Sequence, residues 1–197
     1  MSDWMESLKG AKIGCVMTGS FCTFKEVFEV WRKLKGMGTD LTPIMSFNAA
    51  SLDTRFYPAR EAVETFEAIC DKKILNSIPA VEPIGPKGLL DLLIVAPCTG
   101  NSLAKIANGI TDTPATLAVK SHLRNKRPVL IAVSTNDALA GSGINIGKLF
   151  NTQHIFFVPF RQDDSKNKPS SAVAIFEEIP ECAAFALKNQ QKQPILT

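Results

Sequence analysis

Short apolar runs alternate along the chain with segments whose apolar residues recur at helical spacing. The run at 89–96 is nearly continuous in Leu, Ile and Val, as expected of a central parallel strand that is buried on both faces. Four further runs predict strands at 11–17, 40–47, 128–133 and 155–158. The helical pattern is found at 24–34, 57–70, 102–110, 114–125, 146–151 and 172–188.

Strands that alternate with helices predict an α/β fold of the doubly wound (Rossmann or flavodoxin-like) type, with a parallel sheet and helices on both faces. An irregular stretch at 76–88 and a polar loop at 161–171 lie between the regular segments. No internal repeat or linker divides the sequence, so we expect one domain over residues 1–197. A chain of this length can bury a hydrophobic core.

Composition and charge argue against several classes of protein. The chain is 45% hydrophobic and 21% charged, which is typical of a folded globular protein. Its formal charge is +3 and its pI is near 8.6, without a Lys/Arg cluster or a stripe of basic and aromatic residues. We therefore expect no nucleic-acid partner, while the small positive balance is compatible with an anionic ligand.

The cysteines and the N-terminal residues indicate a reducing compartment. The five cysteines form no CxxC pair and, with two histidines, offer no zinc spacing, so no metal site is predicted. Isolated cysteines on apolar segments are typical of small core residues. The first ten residues lack the apolar region of a signal peptide, and the longest apolar run, 89–97, is too short to span a membrane. We expect a cytoplasmic protein without membrane contact.

Polar loops follow four of the predicted strands. In open α/β sheets ligands bind outside the carboxyl ends of the strands, where these loops should meet. Any one of them is also an ordinary capped turn, but four loops rich in hydroxyl and amide groups at one edge predict a cofactor site. The loops contain Gly19 with Ser20, Ser46 with Asn48, residues 97–102 (PCTGNS) and residues 134–137 (STND).

The first loop favours a phosphate that is bound by neutral groups. The free N–H groups and the positive dipole end of the following helix attract an anion, and Gly19 lets the backbone approach closely. No GxxxxGK[ST] motif is present, which excludes a P-loop NTPase. No GxGxxG follows the first strand either, so the usual dinucleotide fingerprint is missing.

The third loop carries a resemblance to known flavoproteins. Residues 96–102 (APCTGNS), followed by Lys105, Gly109 and Asp112, resemble the PASANT-type motif of the homo-oligomeric flavin-containing cysteine decarboxylases. Asn136 falls where that family has the Asn of its PxMN motif, although the preceding Val-Ser-Thr departs from it. Residues 94–139 also resemble the flavin prenyltransferases.

Within this superfamily the chain is similar above all to the dipicolinate synthase B subunits. The similarity extends over almost the whole sequence and includes stretches specific to those proteins. The matching stretches are 18–20, 22–23, 53–56, 76–78, 82–83, 85–87, 96–97, 99–102, 123–125, 127–128, 134–139, 158–160 and 162–164.

The resemblance implies an FMN cofactor and a heteromeric, homo-oligomerising enzyme. A partner, the dipicolinate synthase A subunit, would carry the NAD(P) site. Together the two proteins would convert a dihydro- or hydroxytetrahydrodipicolinate to pyridine-2,6-dicarboxylate in the mother cell of a spore-forming bacterium. The residues implied near the FMN phosphate are Gly19, Ser20, Thr99 and Ser102. Those implied near its ring or ribityl chain are Phe21, Ser46, Gly100, Asn101 and Asn136.

A histidine of the cysteine decarboxylases is missing from this chain. That family has a His upstream of the strand that leads into its motif, whereas residues 81–84 here are Val-Glu-Pro-Ile. His122 lies on an apolar helix face and is expected to be a packed or interface residue, and His154 has no evident catalytic neighbour. Oxidative decarboxylation of a cysteine is therefore not expected, because its base is absent.

A dicarboxylate substrate calls for a cation, and arginine can hold a carboxylate with two parallel hydrogen bonds. Arg55, after the second strand's loop, is the first candidate and Arg161 the second; Arg55 and Asn136 are the candidate catalytic residues. The alternative for Arg55 is a surface ion pair with Asp53 or Glu61. Two other functions stay open: a flavin prenyltransferase or flavin-dependent decarboxylase, and a non-catalytic flavodoxin-like subunit.

Overall fold

The computed structural model describes residues 3–197, and a seven-stranded sheet lies at its centre. Neighbouring strands follow the order β2-β1-β3-β4-β7-β6, and β5 pairs with β4 beside this path. The strands are β1 Lys12–Met17, β2 Asp40–Met45, β3 Leu92–Cys98, β4 Val129–Thr135, β5 Ile155–Phe157, β6 Phe160–Arg161 and β7 Ala172–Ala174.

Strands β1 to β5 pair in parallel and form the larger part of the sheet. Every residue of β3 is buried, and in β1 only Lys12 at the start is exposed. The register places Leu93 beside both Gly14 of β1 and Val129 of β4. Strand β3 is thus the central strand that its continuous apolar run predicts.

Helices flank the sheet, which confirms the predicted doubly wound α/β class. Helix α2 contacts α4 and α9, while α6 contacts α7 and α8. No helix within residues 3–197 is long and apolar enough to cross a membrane. The helices are α1 Asp3–Glu6, α2 Phe24–Gly36, α3 Phe47–Ser51, α4 Ala59–Cys70, α5 Ile78–Val81, α6 Gly100–Ala107, α7 Pro114–Leu123, α8 Gly143–Phe150 and α9 Ile179–Leu187, with 3-10 turns at Phe21–Thr23, Glu82–Ile84 and Phe176–Glu178.

Helix α2 illustrates how apolar periodicity becomes packing. Gly38 follows the helix with a φ of +82°, a conformation that residues with a side chain rarely adopt. Apolar residues three or four positions apart fall on one helix face, so burying that face against the sheet stabilises the helix. The buried positions include Phe24, Val27, Phe28, Trp31 and Leu34.

The segment 172–188 is not one helix, which corrects the prediction from the sequence. Residues 172–174 form β7, and helix α9 begins only at Ile179, with Pro180 in its first turn. Ala172 and Ala174 are buried whereas Val173 between them is half-buried, which is the two-residue alternation of a strand. A hydropathy pattern does not show this alternation, because the two buried residues are alanines. Proline is favourable at a helix start because it lacks the backbone N–H that would have no partner within the helix at that position.

Strands β6 and β7 also make the sheet mixed rather than wholly parallel. β7 pairs antiparallel with the end of β4, where Ser134 lies opposite Val173, and β6 pairs antiparallel with β7. The first half of β4 pairs instead with β5. Strand β4 thus changes partner along its length, and the β6–β7 connection, residues 162–171, is brought to the loop that follows β4. We refer to β6, β7 and this connection as the edge hairpin.

Other differences concern the ends of elements. The strands predicted at 89–96 and 128–133 each extend two residues further into their polar loops. The strand predicted at 40–47 ends at Met45, because Ser46 caps the short helix α3. The stretch expected to be irregular holds α5 and a 3-10 turn, each with a proline near its start.

Candidate functional site

Thr18 ties the loop after β1 to the loop after β3. Its buried hydroxyl donates to the carbonyl oxygen of Pro97 at 2.8 Å and accepts from the backbone N–H of Thr99 at 3.0 Å. A hydroxyl that both donates and accepts fixes the two loops relative to each other. The polar loops at the ends of the two central strands therefore form one rigid edge.

Ser20 and Ser134 connect the loop after β1 to the end of β4. Their hydroxyl oxygens lie 2.7 Å apart, a hydrogen bond between residues 114 positions apart in the sequence. The side chain of Ser134 is oriented by β4 and by its antiparallel partner β7. Ser134 was part of a loop that the sequence singled out, but it was not among the predicted site residues.

Two capped helices begin at the same edge. The Ser46 hydroxyl accepts from the N–H of Ala49 at 3.3 Å, and the Thr99 hydroxyl accepts from the N–H of Ser102 at 3.3 Å. Helix α6 therefore begins at Gly100, two residues earlier than predicted. The remaining free N–H groups of its first turn give this end a partial positive charge.

The loops surround a cleft of two adjoining cavities that share Gly19, Phe21 and Thr99. The hairpin cavity has a volume of about 370 Å³ and the helix-end cavity about 400 Å³. The hairpin cavity is also lined by Ser20, Cys22, Thr23, Phe56, Ser134, Thr135, Asn136, Asp163, Lys168, Ser171, Ala172 and Val173. The helix-end cavity is also lined by Ser46, Phe47, Asn48, Asn101, Ser102, Lys105, Asp112 and Thr113.

A third depression, of about 440 Å³, lies along α2 and α4 on the molecular surface. It is lined by Arg32 and Lys35, whose charges pair with Glu29 and Asp71. None of the strand-end loops contributes to its wall. Although it is slightly larger than either cavity of the cleft, its two cations are already paired with carboxylates, which makes it the weaker candidate for a ligand site.

Gly19 and Gly100 are glycines for different reasons. A Cβ atom built on Gly19 would meet only the Phe21 ring, at 3.5 Å, so the protein itself leaves that face of the loop open. A Cβ on Gly100 would lie 2.6 Å from the hydroxyl oxygens of Thr135 and Ser142. Gly100 therefore allows helix α6 to pack against the loop after β4, and it does not line either cavity.

Asp137 stabilises the loop after β4 by two hydrogen bonds. Its carboxylate accepts from the hydroxyl of Thr135 at 2.5 Å and from that of Ser142 at 2.8 Å. These hydrogen bonds stabilise the ionised form and hold the pKa of Asp137 below its ordinary value. The anchored loop presents Asn136, which is exposed, to the hairpin cavity.

The two predicted arginines lie outside the cavity walls. Arg55 is exposed, and its guanidinium carbon stands 4.7 Å from the centre of the Phe56 ring, which does line the hairpin cavity. The Asp53 carboxylate accepts from the N–H of Ala59 at 2.8 Å, capping α4. Arg161 is an exposed residue of β6.

The histidines lie away from the cleft. His122 is 1% exposed, and burial, with a smaller contribution from the nearby Arg127 charge, lowers its pKa to about 4. It is therefore neutral near pH 7. His154 Nδ1 lies 2.9 Å from the Asn189 side-chain oxygen.

The cysteines divide into two groups. Cys15, Cys70, Cys98 and Cys182 are buried, as isolated cysteines on apolar segments are expected to be. Cys22 departs from that expectation because it is exposed and lines the hairpin cavity. Within the described residues, no three His, Cys, Asp or Glu side chains are grouped so as to hold a metal ion.

The sequence missed the part of the cleft that the edge hairpin supplies. Asp163, Lys168 and Ser171 all come from a segment expected to be a loop, and Val173 from one expected to be helical. No sequence signal marked 172–174 as a strand, because the three residues Ala-Val-Ala show no alternation of apolar and polar positions. The remaining lining residues come mainly from the four strand-end loops.

Comparison with known proteins places the chain in a family. The Flavoprotein family model matches residues 2–181. The dipicolinate synthase B subunit of Bacillus subtilis is 45% identical over 192 residues, which cover 98% of this chain and 96% of that protein. The crystal structure of the dipicolinate synthase B subunit from Bacillus halodurans superposes with a TM-score of 0.89 at 41% identity, covering 96% of this chain and 97% of that one.

A more distant structure shares the fold. The FMN-dependent cysteine decarboxylase SpaF superposes with a TM-score of 0.69 at 22% identity, covering 92% of this chain and 97% of that one. The resemblance inferred from the motifs is thus confirmed by similarity along the whole chain. The chain belongs to the Flavoprotein family, in the branch that contains the dipicolinate synthase B subunits.

Proposed function

We propose that this chain is the FMN-binding subunit of a heteromeric dipicolinate synthase. Its product would be pyridine-2,6-dicarboxylate, formed from a dihydro- or hydroxytetrahydrodipicolinate. The observation that carries the proposal is the cleft itself, in which loops from four strands bring neutral hydrogen-bonding groups and a helix N-terminus to one edge. Similarity to dipicolinate synthase B subunits along nearly the full chain supports the choice of reaction.

The residues of the cleft fit a flavin mononucleotide. A phosphate suits the hydroxyls of Ser20, Thr99 and Ser102 beside the first turn of α6, where N–H groups and the helix dipole favour an anion. Gly19 leaves open the face at which a ligand would approach the backbone. Each cavity has the volume of an ordinary small-molecule site.

The ring and ribityl chain of the flavin would contact Phe21, Ser46, Asn101 and Asn136, while Gly100 supports the site by letting the loop after β4 pack closely. When bound, FMN supplies a group that accepts or donates two electrons. The protein would orient the substrate beside it. Asn136 and Arg55 are proposed to contact the substrate, Arg55 from its position on the Phe56 ring.

A second protein, the dipicolinate synthase A subunit, would bring the NAD(P) site, since this chain has no GxGxxG after its first strand. We further propose that residues 1–197 act as one domain, that the chain forms a homo-oligomer, and that it works in the cytoplasm of the mother cell during sporulation. The core formed around a single sheet supports the assignment of one domain.

The proposal is tested by FMN titration of the purified chain and of Gly19→Val. Because a Cβ here meets only the Phe21 ring at 3.5 Å, the variant should keep its melting temperature but lose the quenching of flavin fluorescence. Gly36→Val is the matched control, since a Cβ there meets nothing within 4 Å and the residue ends α2 away from the cleft.

The same preparations are then assayed for dipicolinate formation with and without the A subunit. We expect turnover only when the A subunit is present, and none with Gly19→Val. Full flavin affinity of Gly19→Val would show that the site is misplaced. A chain that binds no flavin would support a non-catalytic role instead, and rapid turnover by this chain with NAD(P)+ alone would refute the need for a partner.

A further inference from the structure

Two lysines line the cleft, and they differ in how their charges are used. Lys105 in the helix-end cavity donates to both carboxylate oxygens of Asp112, at 2.9 and 2.8 Å. Its side chain is 22% exposed. Such a two-point ion pair neutralises the lysine and occupies two of its three donors.

Lys168 in the hairpin cavity is much less engaged. Its ammonium nitrogen lies 3.5 Å from the nearer carboxylate oxygen of Asp163, beyond the usual range of an N–H···O hydrogen bond. The side chain is 55% exposed, so the loose pair contributes little stability. Three N–H donors of the ammonium are therefore available to a ligand.

The backbone that carries Lys168 is held in place. Its N–H donates to the carbonyl oxygen of Asp164 at 2.8 Å, and its own carbonyl oxygen accepts from the N–H of Ser171 at 3.0 Å. The edge hairpin is in turn fastened to the loop after β4 by the Leu139 N–H, which donates to the Ser170 carbonyl oxygen at 3.0 Å. The lysine thus combines a fixed anchor with a flexible four-carbon stem.

Asp163 has a second source of stabilisation. Burial raises the pKa of its carboxyl, but the side chain of Ser171, the backbone of Asp163 and the positive charge of Lys168 together lower it below the ordinary value. Because 30% of the Asp163 side chain is exposed, water can solvate its charge when Lys168 turns toward an incoming anion.

We propose that Lys168 binds one carboxylate group of the substrate in the hairpin cavity and so selects for a dicarboxylate, an inference that rests on the proposed function. Apart from the Asp163 carboxylate, the other polar groups that line this cavity are neutral, among them the hydroxyls of Ser20 and Ser134 and the side-chain amide of Asn136. Within residues 3–197, Lys168 is the one cation lining this cavity, whereas Arg55 and Arg161 stand outside its wall.

The test uses Cys22 as a reporter of occupancy. Cys22 lines the hairpin cavity and is the one exposed cysteine among the five, so a neutral alkylating reagent, iodoacetamide, modifies it first in the folded chain. Pyridine-2,6-dicarboxylate should slow this alkylation, and its half-protecting concentration measures binding. The titration is run with and without FMN on the wild type, Lys168→Gln, Lys168→Arg and Lys166→Gln.

Lys168→Gln should raise the half-protecting concentration about tenfold, as expected for the loss of one charge-assisted hydrogen bond at an exposed site. Lys168→Arg should stay near the wild type. Lys166→Gln is the matched control, because Lys166 is an exposed residue of the same connection that does not line the cavity. The neutral pyridine-2,6-dicarboxamide should protect all four proteins equally, and added salt should reduce the difference between the wild type and Lys168→Gln.

Equal protection of the wild type and Lys168→Gln by the dicarboxylate would overturn the role of Lys168, and so would an equal loss in Lys166→Gln. If FMN binds but the dicarboxylate protects no variant, the inference fails while the flavin site stands. If FMN does not bind, the proposed function fails, and the titration without FMN still decides whether Lys168 recognises the dicarboxylate.

Discussion

The parallel part of the sheet and the edge hairpin contribute to the same cleft but are built differently. Strands β1 and β3 are six and seven residues long and almost wholly buried. Strands β6 and β7 are two and three residues long, and each includes a residue that is not buried. Long buried strands hold loops at fixed positions, whereas short edge strands form only against a neighbour that is already in place.

The two regions also contribute different chemistry. The parallel strands end in neutral groups at helix starts, such as Thr99 and Ser102, which suit a phosphate. The edge hairpin brings Asp163 and Lys168, a loosely paired cation and anion on a surface connection. This difference is in line with the proposal that the helix starts of the parallel region hold the cofactor and that Lys168 of the edge hairpin binds the substrate.

The largest expected effect is on the parallel region. Ile94 in β3 is fully buried, so Ile94→Ala should lower the free energy of unfolding by about 2–5 kcal/mol through lost apolar contact and a cavity. Ile144→Ala, at a position 78% exposed, is the control and should change it by less than about 0.5 kcal/mol. Urea unfolding measures both, and equal losses would mean that β3 is not the centre of the core.

The next effect lies at the junction of the two regions. Gly100→Ala would place a Cβ 2.6 Å from the Thr135 and Ser142 hydroxyls, and we expect a loss of about 1–3 kcal/mol by overpacking. The displaced loop should also weaken FMN binding. Gly147→Ala in α8 is the control of opposite sign, because a Cβ there meets nothing within 4 Å and alanine stabilises helices by about 0.5–1 kcal/mol. Melting temperatures that move in the same direction would contradict this account.

The smallest effect concerns the loop that faces the edge hairpin. The lowered pKa of Asp137 means that its ionised form stabilises the folded state at pH values above the unfolded pKa of about 3.9, and that this contribution disappears as the pH falls through the lower folded value. Asp137→Asn should therefore cost about 0.5–1 kcal/mol at pH 7, a modest amount for an exposed group. The difference from the wild type should shrink in acid.

Unfolding measured from pH 7 down to pH 3 checks this dependence. Asp53→Asn serves as a comparison, because Asp53 caps α4 through one N–H instead of holding the loop after β4. A difference between Asp137→Asn and the wild type that grows toward low pH would show that the carboxylate of Asp137 is not the stabilising form.

Much of the cleft could be predicted because its residues follow long apolar strands. Gly19, Ser46 and Thr99 each come directly after or one residue beyond such a run, so local pattern alone assigns them to one edge of a sheet. Their exact strand ends could not be predicted, because they depend on which residue caps the next helix. The Thr99 hydroxyl, for example, takes the N–H of Ser102 and starts α6 at Gly100.

The edge hairpin could not be predicted in this way. Alanine favours a helix by propensity, and Ala172 and Ala174 pair as a strand because β5 leaves the end of β4 without a partner. Arg55 and Arg161 were chosen for the chemistry of guanidinium, which says nothing about where a side chain stands relative to a cavity.

The sequence by itself determined the alternation of strands and helices, the doubly wound class and the four polar loops, because hydrophobic periodicity and capping act over neighbouring residues. Only the tertiary structure decided three other features. Ser20 and Ser134 form a hydrogen bond, the Thr135 and Ser142 hydroxyls pack where a side chain at position 100 would lie, and Lys168 lines the hairpin cavity. These contacts join residues far apart in the chain. They form only in the folded sheet, in which β4 pairs with β5 along its first half and with β7 at its end.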